Sequence, residues 1–174
     1  MKLIIGCFVV LALTLTMVQG ADPIEKDAVA FVEGLLAGLG SELNATDCEP
    51  DAVKTLTEFD TAVVDLDEGF EHKDIRQIYE GFKSLGAAFD SLADAFEECE
   101  GEWATLSKDI KKIATQLAAP DGVIEVVIRE IVDIFVHREQ VTTDVKNFIE
   151  GFKSKNYFEA GQALGNFAGL LLQE

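Results

Sequence analysis

The chain has 174 residues, a formal net charge of −18 and a hydrophobic fraction of 48%, with twelve phenylalanines. Such an acidic surface repels phosphate backbones and anionic lipid head groups, so nucleic-acid binding and basic-patch membrane binding are disfavoured. The hydrophobic fraction argues against a disordered chain and predicts one folded domain with its own core.

The first twenty residues have the pattern of a secretory signal peptide. Lys2 precedes an apolar run over 3–17, and the Val-Gln-Gly sequence at 18–20 supplies a small-residue cleavage site. The apolar run is shorter than the roughly 20 residues that a membrane-spanning helix needs. We therefore predict a signal peptide over 1–20 and an acidic, soluble, secreted domain over 21–174. Because the signal carries one lysine and no acidic residue, the mature net charge becomes −19.

In the mature chain, apolar side chains recur every three and four residues, a spacing that predicts helices rather than strands. The first helix is expected to begin at Pro23 and to fade at Gly38 and Gly40. The second is expected to open at Pro50 and to end near Gly69. The side chains expected to face the core are Ile24, Ala28, Phe31, Leu35 and Leu39 in the first helix, and Val53, Leu56, Phe59, Val63 and Leu66 in the second.

The third helix is predicted from Asp74 to Cys99, after a turn at 71–73, and the fourth extends over 103–117. A fifth, over 123–136, is the most apolar part of the mature chain. The third helix is expected to bury Ile75, Ile78, Tyr79, Phe82, Leu85, Phe89, Leu92 and Phe96, and the fourth Trp103, Leu106, Ile110, Ile113 and Leu117.

The last two helices follow a polar stretch after 123–136. The seventh is expected to begin at Asn156, an N-cap with Glu159 at the third helical position. The fifth and sixth could form one bent helix, so the prediction is an all-α, single-domain bundle of six or seven helices. The side chains expected inside are Val145, Phe148, Ile149 and Phe152 in the sixth helix, and Phe158, Leu164, Phe167, Leu170 and Leu171 in the seventh.

Two cysteines, Cys48 and Cys99, remain after the signal is removed. An even pair in an oxidising compartment predicts a disulfide, with two free buried thiols as the alternative. If the second and third helices form an antiparallel hairpin, both cysteines lie at its open end. A disulfide there would close a loop of about 50 residues and stabilise the fold by roughly 4 kcal/mol.

Glycines in helical stretches indicate close packing, because each costs roughly 1 kcal/mol relative to alanine. The sequence Gly161-x-x-x-Gly165-x-x-x-Gly169 places three glycines on one helix face. We expect another helix to pack there, with a groove for a flat ligand as the alternative. The sequence Glu-Gly-Phe-Lys-Ser occurs at both 80–84 and 150–154. This repeat indicates either a duplicated helical unit or a chance match in a chain rich in these residues.

The architecture resembles a set of small, uncharacterised secreted helical proteins from ciliates and other protists. In that set a helical hairpin bounded by two cysteines precedes a tail of the form Tyr-x-x-x-Gly-x-x-x-Gly. The matching residues here are Cys48, Cys99, Tyr157, Gly161 and Gly165, in the last two-thirds of the chain. The resemblance implies an all-helical secreted protein and implies no activity.

No catalytic, cofactor or metal site is predicted. The sequence has no Gly-x-Ser-x-Gly motif, and neither His72 nor His137 belongs to a ligand-spaced cluster. The acidic stretch at 65–69 starts like a calcium-binding loop, but its glycine is at position five and position twelve is Arg76. One acidic cluster could bind divalent cations weakly, although a solvated helix end is the favoured interpretation: Glu97, Glu98, Glu100 and Glu102.

These observations predict a secreted, non-enzymatic binding or interaction protein. Its partner is expected to be either another protein or a small apolar ligand, such as a fatty acid or sterol, in a phenylalanine-lined cavity. An ordinary dry core is the favoured interpretation of the same phenylalanines, so a protein partner ranks at least level with an apolar ligand. The alternative is a structural component of a secretory granule, surface coat or extracellular matrix. In that case the acidic surface would mediate weak, calcium-responsive association.

The sequence Asn44-Ala45-Thr46 is an N-glycosylation sequon, so the protein is predicted to be a glycoprotein in a host that makes N-glycans. We expect Asn44→Gln to abolish the shift in gel mobility that a peptide N-glycosidase produces on the secreted protein. Equal mobility of the untreated wild type and the variant would show that the sequon is unoccupied.

Overall fold

The fold is described by a computed structural model that covers residues 23–45, 48, 52–119 and 140–173. Within these ranges the chain forms α-helices and no strand, which confirms the predicted all-α class. The helix predicted over 123–136, the signal peptide predicted over 1–20 and the predicted start of the second helix at Pro50 lie outside the described residues. The six described helices are α1 (Pro23–Gly38), α2 (Ala52–His72), α3 (Ile75–Glu97), α4 (Glu102–Ala118), α5 (Gln140–Lys153) and α6 (Tyr157–Leu172).

The helices are arranged as hairpins that share one core. Short turns join α2 to α3, α3 to α4 and α5 to α6, and each of these pairs packs together. The first helix, α1, packs mainly against the last helix, α6. The bundle is therefore closed by contact between the two helices that are farthest apart in sequence.

Phenylalanine rings link four of the helices at the centre of the core. The ring of Phe31 on α1 lies 4.9 Å from that of Phe59 on α2 and 5.3 Å from that of Phe152 on α5, centroid to centroid. Phe59 in turn lies 5.4 Å from Phe89 on α3 at an angle of 85°. Edge-to-face pairs of this kind add about 0.5–1.5 kcal/mol each beyond the area they bury. The rings therefore fix the relative positions of α1, α2, α3 and α5.

Glycines bring α1 and α6 into backbone contact. A Cβ at Gly161 would collide with the carbonyl oxygen of Phe31, and a Cβ at Gly165 would lie 2.8 Å from the Cα of Gly38. In α1, Gly34 meets the backbone of α6 in the same way. The prediction that a helix packs on this glycine face is thus confirmed at two of its three positions. It is wrong at the third, Gly169, where an added Cβ would find open space.

The turn between α2 and α3 differs in detail from the prediction. The second helix continues to His72 instead of ending near Gly69, because that glycine is a packing position: its added Cβ would lie 2.7 Å from the backbone nitrogen of Ile78. The helix ends where Lys73 takes a positive φ of 55°. Asp74 then caps α3, since its carboxylate accepts hydrogen bonds from the backbone N–H groups of residues 76 and 77.

Three apolar side chains predicted to face the core are exposed instead. Ile24, Ile75 and Phe158 are 52%, 60% and 41% exposed. Each is the first or second residue of its helix, where neighbouring helices do not yet cover the side chain. Asn156 is the N-cap of α6, as predicted, but its side chain makes no capping hydrogen bond, so the predicted capping box does not form.

The two hairpins α2–α3 and α5–α6 repeat one motif with an offset of 82 residues. Residues 68–74 read Glu-Gly-Phe-Glu-His-Lys-Asp, and residues 150–156 read Glu-Gly-Phe-Lys-Ser-Lys-Asn. In both, the lysine has a positive φ, of 55° and 59°. The following residue donates its backbone N–H to the carbonyl of the glycine, at 2.9 and 2.8 Å. The structure thus relates 68–74 to the second hairpin, whereas the sequence match of 80–84 with 150–154 does not correspond structurally, because 80–84 lies within α3.

The same offset relates the packing of the two glycines in these hairpins. Gly69 lies against the backbone of Ile78, and Gly151 lies against the backbone of Ala160, nine residues later in each case. The same offset aligns most of α1 with α4, α2 with α5 and α3 with α6. The contacts between α1 and α6 therefore correspond to those between α4 and α3. The described helices therefore form two related sets of three helices, α1 to α3 and α4 to α6.

The predicted disulfide joins Cys48 and Cys99, with their Cα atoms 5.9 Å apart, so the alternative of two free thiols is wrong. Cys48 is 2% exposed and belongs to the core. Cys99 follows the last turn of α3. The bond therefore ties the segment before α2 to the far end of the α2–α3 hairpin.

We predict that Gly161→Ala destabilises the protein and that Gly169→Ala does not. The first change places a methyl group against the backbone of Phe31, which cannot move away as a side chain can, and overpacking of this kind typically costs about 1–3 kcal/mol. The second change has open space and gains up to about 1 kcal/mol of helix propensity. Urea denaturation of both variants gives the comparison, and equal stabilities would contradict backbone contact between α1 and α6.

We predict that replacing both cysteines by alanine lowers the free energy of unfolding by roughly 4 kcal/mol, because the 51-residue separation sets the entropy of loop closure. Thermal unfolding of the oxidised wild type and the double variant measures the difference. Matching transition temperatures would mean that the loop is already held closed by the core without the bond.

Candidate functional site

An open groove of about 490 Å³ lies along the α5–α6 hairpin. Its lining is polar on both helices. The residues that line it are Asp144, Asn147, Glu150, Gly151 and Ser154 from α5 and the turn, and Glu159, Gln162, Ala163 and Asn166 from α6.

The groove follows from the helical periodicity of both elements. On α5, the lining residues recur at spacings of three and four, as they do on α6, so each set forms one stripe along its helix. The apolar side chains of the same helices point into the core, among them Phe148 on α5 and Phe167 on α6. Close contact of Gly151 with Ala160 brings the two helices together and places their polar stripes side by side.

Three carboxylates give the groove a negative potential. Asp144 and Glu150 come from α5 and Glu159 from α6, and the described lining includes no lysine, arginine or histidine. Lysines lie near Glu150: the pKa of Lys153 is raised mainly by Asp67 and in part by Glu150, and Lys146 pairs with Glu150 at 3.7 Å. Both side chains of that pair are more than 60% exposed, so the pair contributes little. The groove is suited to ligands that carry positive charge and hydrogen-bond donors.

Asp144 is the unusual member of this set. Its residue is only 6% exposed, and its Oδ2 atom has no hydrogen-bond partner among the described residues. Burial raises the pKa of Asp144 above its ordinary value, because desolvation disfavours the charged carboxylate. A buried acceptor without a partner costs about 1–3 kcal/mol. The protein therefore keeps at this position a group that destabilises the isolated fold.

A second groove, of about 300 Å³, lies between α2 and α5 and is more apolar. Phe70, Val145 and Ile149 line it, and an ion pair borders it, in which Lys153 donates to Asp67 at 2.8 Å. The hydrogen bond and the charge of Asp67 raise the pKa of Lys153. The ion pair links the two hairpins, so the residues around this groove serve packing between the repeated units.

The residues singled out from the sequence lie apart from the polar groove. Asn44 is exposed, as a glycosylated residue requires, and the acidic stretch at 65–69 is part of helix α2 rather than a loop. His72 is exposed at the end of α2, and His137 lies outside the described residues. Within the described part of the chain, no three His, Cys, Asp or Glu residues are grouped to hold a metal ion.

Sequence reasoning missed the groove residues. Polar side chains at helical spacing are also the normal pattern of a solvated helix face, so Asn147, Gln162 and Asn166 carry no signal on their own. The available signal was Asp144, one helical turn from Phe148 and next to Val145. Its position beside core residues predicts a carboxylate near the edge of the buried face.

Among the described helices, none combines the length and the apolar character required to cross a membrane.

Comparison with known proteins identifies relatives of the chain. A family model described as "SctB-like: Secreted protein B-like" matches residues 15–173. Secreted protein A of Dictyostelium discoideum is 30% identical over 175 residues, 99% of this chain and 98% of that protein. Secreted protein C of the same organism is 32% identical over 151 residues, 85% of this chain but 31% of that protein. Secreted protein B is 26% identical over 159 residues, 91% of this chain and 84% of that protein.

These matches confirm the resemblance to small secreted protist proteins, and the matched organism is Dictyostelium rather than a ciliate. No solved structure matches the chain.

We predict that Asp144→Asn raises the melting temperature at pH 7, by roughly 3 °C for each 1 kcal/mol recovered. Because burial raises the pKa of Asp144 in the folded state, protonation of Asp144 stabilises the fold. This contribution is complete below the unfolded-state pKa and is lost as the pH rises through the folded-state pKa. The difference between variant and wild type should therefore shrink as the pH falls. Thermal unfolding from pH 3 to pH 7 measures it.

The matched control is Asp90→Asn, which removes an exposed aspartate on α3. It should change the melting temperature by much less at pH 7. An Asp144→Asn variant that is no more stable than the wild type at pH 7 would contradict the description of Asp144 as buried and unpaired.

Proposed function

The chain belongs to the SctB-like family of secreted proteins, and we propose that it acts as a non-enzymatic binding protein whose ligand occupies the α5–α6 groove. The predicted secreted localisation follows from that membership. The observation that carries the proposal is Asp144, a buried carboxylate without a described partner on the wall of an open groove. A ligand that donates to this carboxylate would recover the stability that its burial costs.

The side chains of the lining can hydrogen-bond a ligand, and the lining does not supply an activated serine nucleophile among its described residues. The described residues there are carboxylates, amides and one hydroxyl, Ser154, whose Oγ donates to the carbonyl oxygen of Gly151. A serine nucleophile needs a neighbouring base that activates it. The described lining places neither an imidazole nor an amine beside Ser154.

The proposed ligand site is a groove on the surface rather than a cavity inside the core. An apolar ligand among the phenylalanines was one of the possibilities from the sequence, beside a protein partner and an ordinary dry core, and the phenylalanines of the described core pack on one another at centroid distances of 4.9–6.0 Å. Such ring pairs fill the space between the helices that they join. The polar groove, by contrast, is open and has unsatisfied hydrogen-bonding capacity in Asp144.

The structural alternative rests on a separate observation, the net charge of −18. A protein with that charge repels its own copies, and millimolar calcium would reduce the repulsion. This alternative predicts self-association on adding calcium and requires no ligand in the groove.

Native mass spectrometry of the secreted protein, purified without detergent, tests the proposal. We expect a monomer that carries an additional bound mass of a few hundred daltons or less, with no change of oligomeric state on adding calcium. The bound mass should be lost in Asn166→Trp, which fills the groove from α6. It should be kept in Gln116→Trp, which places the same side chain on the exposed face of α4.

Retention of the bound mass in both tryptophan variants would place the ligand elsewhere on the protein. A monomer without ligand that assembles when calcium is added would overturn the proposal in favour of the structural alternative. A monomer that carries no ligand and does not assemble would overturn both.

A further inference from the structure

We infer that the ligand of the α5–α6 groove is an elongated organic polycation of the polyamine class, bound at one end by Asp144 and at the other by Glu150 and Glu159. This inference rests on the proposed function, because it names the ligand class of the same groove. It is carried by the state of Asp144, by the spacing of the carboxylates and by a comparison of the two repeated hairpins.

Asp144 selects for a charged donor. The residue is 6% exposed and its Oδ2 atom has no described partner. A hydroxyl group would satisfy the hydrogen bond but would leave the buried negative charge uncompensated. A protonated amine supplies both the N–H donor and the opposite charge, and charge-assisted hydrogen bonds are about twice as strong as neutral ones.

The spacing of the carboxylates selects for an elongated ligand. Asp144 and Glu150 are separated by six residues, or about 9 Å of rise along α5. Glu159 is in the first turn of α6, on the turn side of the groove with Glu150. The amides of Asn147 and Gln162 line the part between these ends and offer acceptors to a central N–H group.

The same spacing disfavours a metal ion. Calcium takes six to eight oxygen ligands at about 2.3–2.6 Å, and carboxylates must converge on one point to provide them. In the described ranges, no group of three His, Cys, Asp or Glu residues is placed to do so. A chain of amines can bridge carboxylates that a single ion cannot.

In the first hairpin, α2–α3, side chains at positions that correspond to groove residues are hydrogen-bonded to each other. Shifted by 82 residues, Glu150 and Glu159 correspond to Glu68 and Gln77. In the first hairpin that pair makes a hydrogen bond of 2.6 Å, in which the amide of Gln77 donates to the carboxylate. The second hairpin has two carboxylates at these positions, so the amide donor of the first hairpin is missing, and Glu150 has only an exposed ion pair with Lys146 at 3.7 Å among the described residues. A cation between Glu150 and Glu159 would replace the missing donor.

Three further groove positions can be compared with their counterparts in the first hairpin. Asn147 and Asn166 correspond to Asp65 and Ser84, where the serine hydroxyl donates to the carboxylate at 3.2 Å. Asp144 itself corresponds to an alanine, Ala62, which is fully buried. In the first hairpin these positions therefore satisfy one another, whereas in the second the matching positions leave acceptors available to a ligand.

Isothermal titration calorimetry with spermidine on the full secreted chain, at physiological ionic strength, tests the inference. We expect Asp144→Asn to weaken binding roughly tenfold or more, the loss expected when a hydrogen bond to a charged group is removed. Glu159→Gln, which recreates the Glu–Gln pair of the first hairpin, should weaken it as well. Asp90→Asn changes the net charge equally but lies on α3, and it should change the affinity less than twofold.

Asp144→Asn is expected to melt at a higher temperature than the wild type, so a loss of binding in that variant is not a failure to fold. Equal affinity of spermidine for Asp144→Asn and Asp90→Asn would overturn the inference, because it would show attraction to the acidic surface as a whole. Butylamine, with a single ammonium group, should bind at least tenfold more weakly than spermidine. Equal binding of the two would overturn the elongated, two-ended mode.

The two proposals fail in different ways. If the purified protein carries a groove-dependent mass but spermidine does not bind to ligand-free protein, the ligand class is wrong and the binding function stands. If calcium displaces spermidine at equal concentration, the site is a general cation site and the inference is also wrong. If neither spermidine nor any bound mass depends on the groove, both proposals are overturned.

Discussion

The arrangement of this bundle depends on the backbone contact between its first and last helices. Gly34 and Gly38 of α1 face Gly161 and Gly165 of α6, and no side chain separates the two backbones. The contact holds α6 on one side, while α5 packs on the other through Gly151. Because α6 is fixed from both sides, its polar stripe has a defined position beside that of α5. The glycines of α1 lie against the backbone of Gln162 and Asn166, two residues that line the groove, so this contact removes space in which α6 could shift and fixes one wall of the groove.

Much of the fold could be predicted from the sequence because the signals for it are local. Apolar spacing and the proline at position 23 depend on a few neighbouring residues, and the two cysteines after residue 20 allow only one pairing. The helices and the disulfide predicted from them are present within the described ranges. The errors occurred at helix ends. Ile75 and Phe158 fit the apolar stripe, but the first turn of a helix extends beyond its neighbours, and a linear pattern does not contain that geometry.

The candidate site could not be predicted in this way, because it depends on tertiary contacts. Glu-Gly-Phe occurs three times, and the sequence alone does not decide which two copies correspond. The turn conformation decides it, since Lys73 and Lys155 both adopt positive φ after the matching glycines. Only in that register does Asp144 correspond to a buried alanine and Glu159 to a glutamine. The difference between the hairpins, rather than any single motif, identifies the groove.

The repeated hairpin also bears on how such a chain can change over time. A protein with one copy of a motif must keep that copy stable, and any new polar group in it risks the whole fold. Here the first copy is closed by the hydrogen bonds of Glu68 with Gln77 and of Asp65 with Ser84, and it is anchored by the disulfide. The second copy still holds the bundle together through the glycine face of α6, but its outer face does not carry these stabilising hydrogen bonds. Mutations can accumulate on its outer face, so relatives are expected to diverge fastest along this surface and slowest along the glycine crossing beneath it.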